Sequence, residues 1–293
     1  SYDRALQADE QFYEAYFNAG VVLFNKKKYL DAIKAYDQAI SIKPDLADAH
    51  YNKGIAYQGL YDEKSALECF DRAIGFDANR ADFFHVRGNS HLSQNNIQGA
   101  IRDYEAALEL SPDYEFLPGL LLYLKSTIGN WMIFESEVDE LIKKIRLEQK
   151  KSPCFPVLSL CDDLNVHHKT ATLWVNRRIQ ENSTLGPIPK RNRSDKIRIG
   201  YYSADFREHP VAMLLVGILE SHDKTRFEIF AFASGPEVES SLRQRIKSAV
   251  DHFIDINLMS DEQVAKCSRD YEIDIAVDLG GHTFDSRIAA FSY

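Results

Sequence analysis

Residues 54–88 read GIAYQGLYDEKSALECFDRAIGFDANRADFFHVRG and hold one full period of a repeat. Glycine recurs at Gly20, Gly54 and Gly88, a spacing of 34 residues. Three more positions of the unit keep this spacing with small or aromatic residues: Ala32, Ala66 and Ala100; Tyr36, Phe70 and Tyr104; Ala39, Ala73 and Ala107. A fixed period of this length indicates a repeat architecture.

Each unit is predicted to form two antiparallel helices. The glycine lets the first helix approach the second closely, and the aromatic residue fills the space that remains. Pro44 and Pro112 close the first and third units, because proline lacks the N–H that would continue a helix. These residues resemble the tetratricopeptide repeat. Tyr2 and Ala5 continue the pattern backwards, so we expect the chain to begin inside a preceding unit, with further repeats upstream.

The resemblance to tetratricopeptide repeats implies protein or peptide partners, because such repeats stack into a superhelix with a concave binding face. Asn18, Asn52 and Asn89 lie near the starts of successive first helices. In this repeat class, asparagines there hydrogen-bond the backbone of a bound peptide. Asn18 and Asn52 share a register and Asn89 does not. The alternative, that all three are solvated surface amides, stays open.

The composition excludes several other classes of protein. Of the 293 residues, 45% are hydrophobic and 27% are charged, which is typical of globular chains. The net charge of −9 matches a phosphate backbone poorly, so no nucleic-acid partner is expected. No apolar run reaches the roughly 18 residues that span a bilayer, and no secretory signal opens the chain, so no membrane partner is expected.

The cysteines and histidines predict no metal site and a cytoplasmic location. The cysteines, which form no C-x-x-C pair, are Cys69, Cys154, Cys161 and Cys267. Their scatter fits neither a disulfide framework nor a zinc site, so we expect free thiols in a reducing compartment. His167 and His168 would point about 100° apart on a helix and cannot share a metal.

The pattern changes twice along the chain and divides it into repeats (1–112), a helical junction with a linker (113–195) and an α/β segment (196–293). In the junction we predict a helix that contains Leu120–Leu124 and ends near Gly129, then helices over 134–148 and 164–180. Ser152–Pro156 is interpreted as a break. Residues 181–195 have a linker's composition. Their basic residues, Lys190, Arg191 and Arg193, leave a nucleic-acid or nuclear-import patch as the alternative.

From Lys196 onward, short apolar strands alternate with helices. Strands are predicted over 197–202, 227–233, 253–256 and 273–279, and helices over 211–221, 237–249 and 261–270. Such alternation predicts a parallel sheet, whose ligand crevice lies beyond the carboxyl ends of the strands. The loops of interest are therefore 203–210, 234–236 and 280–285. No G-x-G-x-x-G or P-loop pattern occurs, which disfavours the nucleotide sites built on those motifs.

Two of these loops carry candidate functional residues. Pro210 suits the first turn of a helix and so places His209 at the helix N-terminus, where the dipole favours a neutral, proton-accepting imidazole. The alternative is a capping or packed histidine. The turn Gly280-Gly281-His282-Thr283 can bring N–H groups near a ligand. Asp278 leads into it at the ligand end of the strand, and Asp274 is expected at the other end.

Four motifs in order are similar to the start of the catalytic region of protein O-GlcNAc transferases, glycosyltransferase family 41, and of its bacterial members in particular. They are KIRIGYYSADF with His209-Pro210 (196–210), RFEIFAF (226–232), HFID (252–255) and DIAVDL (274–279). Repeats ahead of this region, joined through residues 116–119, are that family's architecture too. The implied fold class is α plus α/β: a repeat superhelix followed by part of the Rossmann-like N-terminal lobe of a GT-B glycosyltransferase.

The resemblance implies inverting transfer of N-acetylglucosamine from UDP-GlcNAc to Ser or Thr of proteins presented by the repeats, with no cofactor and no obligatory metal. It places His209 in the active site. The loop residues expected near the donor are Asp205, Pro210, Asp278, Gly280, Gly281, His282 and Thr283. His282 departs from the tyrosine of relatives. In the family the second lobe supplies most donor contacts, so we expect these 293 residues alone to be inactive. A repeat scaffold without catalysis, or a transferase using another nucleotide sugar, are the alternatives.

Overall fold

The computed structural model describes residues 13–130, 134–179, 184–188, 195–281, 283 and 286–293. Several residues singled out in the sequence lie outside these ranges: Tyr2, Ala5, Lys190, Arg191, Arg193 and His282. The chain divides into two compact units, residues 1–170 and 171–293. Each unit has its own core and is described by itself.

Within the described residues, the first unit opens with six helices in three antiparallel pairs, which confirm the predicted repeats. They are α1 (Tyr13–Asn25), α2 (Tyr29–Ile42), α3 (Ala47–Gly59), α4 (Glu63–Phe76), α5 (Ala81–Ser93) and α6 (Ile97–Leu110). In each pair the glycine of the first helix lies against the aromatic ring of the second: Gly20 on Tyr36, Gly54 on Phe70 and Gly88 on Tyr104. All three rings are buried.

The turn inside each helical pair holds a residue with positive φ that is not glycine. These residues are Lys27, Tyr61 and Asn95, with φ of 57°, 59° and 57°. Two helix-ending hydrogen bonds accompany the turn in the second repeat. There the N–H of Tyr61 donates to the Gln58 carbonyl, and the N–H of Asp62 donates to the Tyr57 carbonyl. Helices commonly end on such a left-handed residue, most often glycine.

Four more helices follow the repeats: α7 (Leu117–Thr127), α8 (Phe134–Arg146), α9 (Cys154–Leu160) and α10 (Leu164–Arg178). The prediction of a break over Ser152–Pro156 is wrong from Cys154 onward, because α9 begins there. Pro153 is the residue before α9 and Pro156 lies in its first turn. Proline is tolerated at these positions, since the first N–H groups of a helix have no partner within it.

The second unit is a parallel sheet with helices on both faces, which confirms the predicted Rossmann-like α/β arrangement. Its elements are β1 (Ile197–Ser203), α11 (Pro210–Ser221), β2 (Phe227–Ala233), α12 (Ser241–Ala249), β3 (His252–Asp255), α13 (Asp261–Asp270), β4 (Ile275–Asp278) and a 3₁₀ helix (Ile288–Ser292). Among the described residues the strand order is β3-β2-β1-β4, and every pairing is parallel.

The two faces of this sheet carry separate apolar cores. Helices α11 and α12 pack on the face that holds Ile199 and Ile229. The 3₁₀ helix, which the sequence did not reveal, packs with α13 on the face that holds Tyr202 and Phe232. Helix α12 begins at Ser241 rather than at the expected 237, because the side chain of Ser240 caps it by accepting the N–H of Arg243 at 3.2 Å.

Candidate functional site

Two loops meet at the carboxyl edge of the sheet. From β1 the chain passes to β2 and β3 on one side, and it returns to β4 on the other side of β1. Open α/β sheets bind ligands at such a reversal of strand order. The two loops start side by side, since the N–H of Leu279, the first residue after β4, donates to the carbonyl of Tyr202 near the end of β1 at 3.0 Å. Residues 204–209 and 279–281, with Thr283, are called the candidate site below.

The loop after β1 is fixed by its own hydrogen bonds and by one buried side chain. The N–H of Asp205 donates to Oγ of Ser203 at 3.0 Å, and the N–H of Arg207 donates to the carbonyl of Asp205 at 2.8 Å. The ring of Phe206 is 1% exposed and belongs to the core beneath β1. The side chains of Asp205 and His209, in contrast, stay partly exposed.

His209 is the N-cap residue of α11. Its Nδ1 accepts the N–H of Val211 at 3.3 Å, and Pro210 follows as the first helical residue. In this contact Nδ1 acts as the hydrogen-bond acceptor. The residue therefore lies at the helix N-terminus as expected, and it does cap the helix. With a side chain that is 37% exposed, it also stays open to solvent.

Asp205 offers His209 a second partner. Its Oδ2 lies 3.6 Å from Nδ1 of His209, and its Oδ1 lies 3.4 Å from Nη2 of Arg207. The carboxylate attracts the imidazole when Nδ1 is protonated, at the expense of the contact with Val211. An imidazole within reach of both a backbone N–H and a carboxylate is suited to acid–base chemistry.

The glycine turn after β4 is held by Asp278, the last residue of that strand. The N–H groups of Gly280 and Gly281 donate to the two carboxylate oxygens of Asp278 at 3.0 and 2.9 Å. Gly281 has a φ of 55°, which glycine adopts without strain. These two N–H groups are thus engaged within the loop by the Asp278 carboxylate. Thr283 continues the turn by donating its N–H to the carbonyl of Gly280 at 3.1 Å.

The predicted peptide-binding asparagines differ in their surroundings. Asn18 is exposed on α1, and Asn52 is half-buried at the same register of α3. Asn89 lies further along α5, where its Oδ1 accepts the hydroxyl of Tyr104 at 2.7 Å. The structure therefore relates Asn18 to Asn52 but gives Asn89 a contact inside its own helical pair.

A periodic set of ion pairs joins successive helical pairs and was missed in the sequence. An acidic residue on the second helix of each pair contacts a basic residue on the next helix of the chain: Asp37 with Lys53 (2.6 Å), Asp71 with Arg87 (2.7 Å) and Glu105 with Lys125 (2.9 Å). The acidic members are 34 residues apart, which is a signal that the sequence contains. Since Lys125 lies on α7, this helix takes the place of a first helix after the third repeat.

Two further residues, one beside the candidate site and one within it, were also missed. Arg243 on α12 is 2% exposed and reaches the loop after β1, as does the N–H of Leu242. The side chain of Glu208 in that loop accepts the N–H of Leu242. An arginine on an otherwise apolar helix face, between Leu242 and Ile246, was the sequence signal for this contact.

In the part of the chain that the structure describes, no group of three or more His, Cys, Asp or Glu side chains is placed to hold a metal ion. Across the same residues, no helix combines the length and the apolar character needed to cross a membrane.

Comparison with known proteins finds matches in both units. Residues 159–293 match the model of glycosyl transferase family 41, and residues 22–60, 47–80 and 81–114 match tetratricopeptide-repeat models. Over 106 residues the chain is 32% identical to a probable UDP-N-acetylglucosamine–peptide N-acetylglucosaminyltransferase SEC of Arabidopsis thaliana. Over 99 residues it is 29% identical to the UDP-N-acetylglucosamine–peptide N-acetylglucosaminyltransferase of Caenorhabditis elegans.

These matches cover 36% and 33% of this chain but only 11% and 8% of the two relatives. The chain therefore spans about a tenth of the curated relatives' length. A solved structure of a mutant O-GlcNAc transferase from Thermobaculum terrenum is similar with a TM-score of 0.56 and 22% identity. That match covers 96% of this chain and 48% of the other, and at this identity it shows a shared fold.

Proposed function

We propose that the intact protein is a protein O-linked N-acetylglucosaminyltransferase, because residues 159–293 match the model of glycosyl transferase family 41 and tetratricopeptide-repeat matches precede them. It transfers N-acetylglucosamine from UDP-GlcNAc to Ser or Thr hydroxyls of proteins. The observation that carries the proposal is the place of His209, partly exposed at a helix N-terminus beside the strand-order reversal of the sheet.

The proposed reaction needs a group that manages one proton. The acceptor hydroxyl oxygen attacks the anomeric carbon, the bond from that carbon to UDP breaks, and the hydroxyl proton passes to a base. His209 is assigned this role. To accept the proton at Nε2, the ring must carry its own proton on Nδ1 and therefore give up the contact with the Val211 N–H; the nearby Asp205 carboxylate is the group that would stabilise that proton.

The other parts of the chain receive roles consistent with this reaction. The second unit is proposed to be part of the N-terminal lobe of a GT-B enzyme, and the repeats are proposed to present the protein substrate. Asn18 and Asn52 are the repeat-face candidates for contacts with its backbone, with Asn89 tied to Tyr104. The proposal places the protein in the cytoplasm and invokes no cofactor, metal, nucleic acid or membrane.

The test is the variant His209→Ala in the intact protein, assayed with UDP-GlcNAc and a protein acceptor. Loss of a general acid–base group should lower kcat by about 100-fold or more. The matched control is His222→Ala at the other end of α11, where the ring contacts the Tyr201 hydroxyl at 2.8 Å. Normal turnover in the His209 variant would return that residue to a capping role.

Two further measurements separate the alternatives. An intact protein that transfers no sugar from any UDP-sugar would favour a repeat scaffold. Faster turnover with a donor other than UDP-GlcNAc would favour a related transferase. Glycosylation by the 293-residue chain alone would contradict the expectation that it is inactive.

A further inference from the structure

The first turn of α12 holds the loop that carries His209 through hydrogen bonds. Nη1 of Arg243 donates to the carbonyl of Phe206 at 3.1 Å. In the opposite sense, Oε1 of Glu208 accepts the N–H of Leu242 at 3.1 Å and the hydroxyl of Ser241 at 3.3 Å. The helix thus donates to the loop through the charged Arg243, and the loop accepts from the helix through the charged Glu208. Hydrogen bonds that involve a charged group are stronger than those between neutral groups.

Burying the charged side chain of Arg243 costs free energy, and filling the core does not by itself explain why an arginine lies at this position. Its side chain is 2% exposed, and its Nε is buried with no hydrogen-bond partner. Its guanidinium lies 4.8 Å from the ring centre of Phe253, and Nη2 is 3.4 Å from Oδ2 of Asp255. A buried charge with incomplete partners contributes little net stability, and an apolar residue of similar volume is often equal or better. What an apolar residue lacks is the donor that reaches Phe206.

Along the chain, Phe206 lies between the two residues whose side chains the proposed reaction uses. Asp205 precedes it directly, and His209 follows after two residues. On the other flank, the carbonyl of Ala204 is so close to Gly235 that a Cβ there would overlap it. The loop is therefore clamped at two points, and the 3.6 Å separation of Asp205 and His209 lies within the span that Arg243 and Glu208 control.

We propose that Arg243 is a positioning residue for the candidate site, holding Asp205 and His209 in register by its hydrogen bond to the Phe206 carbonyl. The inference rests on the proposed function for its catalytic consequence. The restraint on the loop is a property of the second unit and can be measured without catalysis.

The experiment uses the variants Arg243→Met and Arg243→Lys, with Arg245→Met as the matched control. Arg245 lies on the same helix but is 54% exposed and pairs with Glu220 on the surface. Hydrogen exchange of residues 204–211 is measured on the 293-residue chain, and kcat and KM are measured on the intact protein. Glu208→Gln is a second loop variant that leaves the core untouched.

We expect Arg243→Met to speed exchange of the Asp205, Arg207 and Val211 amides and to lower kcat by about 10- to 100-fold, with KM within about twofold, because misplacing a reacting group by about 1 Å costs rate. Arg243→Lys, which keeps a donor, should recover part of kcat. Glu208→Gln should change both readouts in the same direction but less, and Arg245→Met should change neither.

Unchanged loop exchange in a folded Arg243→Met, or loop loosening with normal kcat, would overturn the proposal. If Arg243→Met does not fold, Arg243→Lys and Glu208→Gln decide the question by the same two readouts. If the unaltered intact protein transfers no sugar, the proposed function fails. Hydrogen exchange then still shows whether Arg243 restrains the loop, so the two failures are distinguishable.

Discussion

Gly54 lies so close to Phe70 that a Cβ on Gly54 would stand 2.5 Å from Cε1 of that ring. Phe70 is fully buried, so its ring is surrounded by other protein atoms. The same contact joins Gly20 to Tyr36, also at 2.5 Å. This approach of a bare backbone to a buried ring is what sets the spacing of the two helices in each repeat.

The first prediction concerns this contact. Gly54→Ala should destabilise the protein by about 1–3 kcal/mol, because overpacking a filled core forces side chains or backbone to shift. Gly75→Ala is the matched control: Gly75 lies in α4 with nothing within 4 Å of its Cβ position. There the loss of glycine's flexibility should stabilise by about 0.5–1 kcal/mol. Urea unfolding of both variants measures the two effects, and equal signs would contradict the packing explanation.

The second prediction is a pH dependence that originates at His85. Its ring lies 4.8 Å from that of Tyr114, and Nδ1 is 3.1 Å from the Tyr114 hydroxyl. Burial lowers the pKa of His85 from 6.5 to about 4. The folded state thus favours the neutral ring, and the stabilisation is fully present above pH 6.5 and is lost as the pH falls toward 4.

From His85 alone, the free energy of unfolding should fall by about 3 kcal/mol across this range. Urea unfolding at a series of pH values between 7.5 and 4 measures the slope. In His85→Gln, which does not titrate, the decline should be flatter by a similar amount. Parallel pH curves for the two proteins would show that His85 is not the source.

The third prediction concerns the ion pairs of the repeats. Arg87 contacts Asp103 through Nη2 at 2.6 Å and Nε at 2.9 Å, and the Asp103 side chain is only 6% exposed. Arg87→Met should cost about 2–4 kcal/mol, because it removes both short hydrogen bonds of a buried carboxylate and leaves it only His91 Nε2, at 3.8 Å. Arg245→Met removes a pair with Glu220 that is largely exposed, so its cost should stay below about 1 kcal/mol.

Chemical unfolding of Arg87→Met and Arg245→Met compares the two costs directly. The double variant Arg87→Met with Asp103→Asn removes both charges and should recover part of the loss. If Arg87→Met and Arg245→Met lose equal stability, burial of Asp103 does not determine the cost.

The fourth prediction tests the turn after β4. Asp278 offers one oxygen to each of two N–H groups, those of Gly280 and Gly281. Asp278→Asn keeps the shape but has one acceptor, so we expect a loss of about 1 kcal/mol and faster hydrogen exchange of one of the two glycine amides. Asp270→Asn, whose carboxylate pairs with Lys266 on the surface, should change neither quantity. Unaltered protection of both amides would show that Asp278 does not hold the turn.

Much of the fold could be predicted because its pattern is local and repeated. The residue types at Gly54, Phe70 and Ala73 recur in every repeat, so each repeat indicates the same packing as the others. The strands were recognised from short apolar runs between turn residues, and Pro210 marked the start of α11 and with it the place of His209. The positions of helices and strands depend on neighbouring residues in the sequence, so the pattern of residue types is enough to predict them.

Local pattern failed where a rule of thumb met an exception. Pro153 and Pro156 suggested a break, yet α9 begins between them because its first turn needs no N–H donors. Tyr61, with a positive φ, ends α3 at a position where glycine is usual, so its sequence carried no turn signal.

The amino-acid sequence by itself determined the repeat period, the order of helices and strands, and the end of the sheet at which His209 lies. Only the tertiary structure decided that Arg243 reaches the carbonyl of Phe206, across 37 residues of chain, and that Asp278 occupies the amides of the glycine turn. The reason is physical: helix and strand periodicity arise from neighbouring residues, whereas the partner of a buried charge is selected by packing between elements that are distant along the chain.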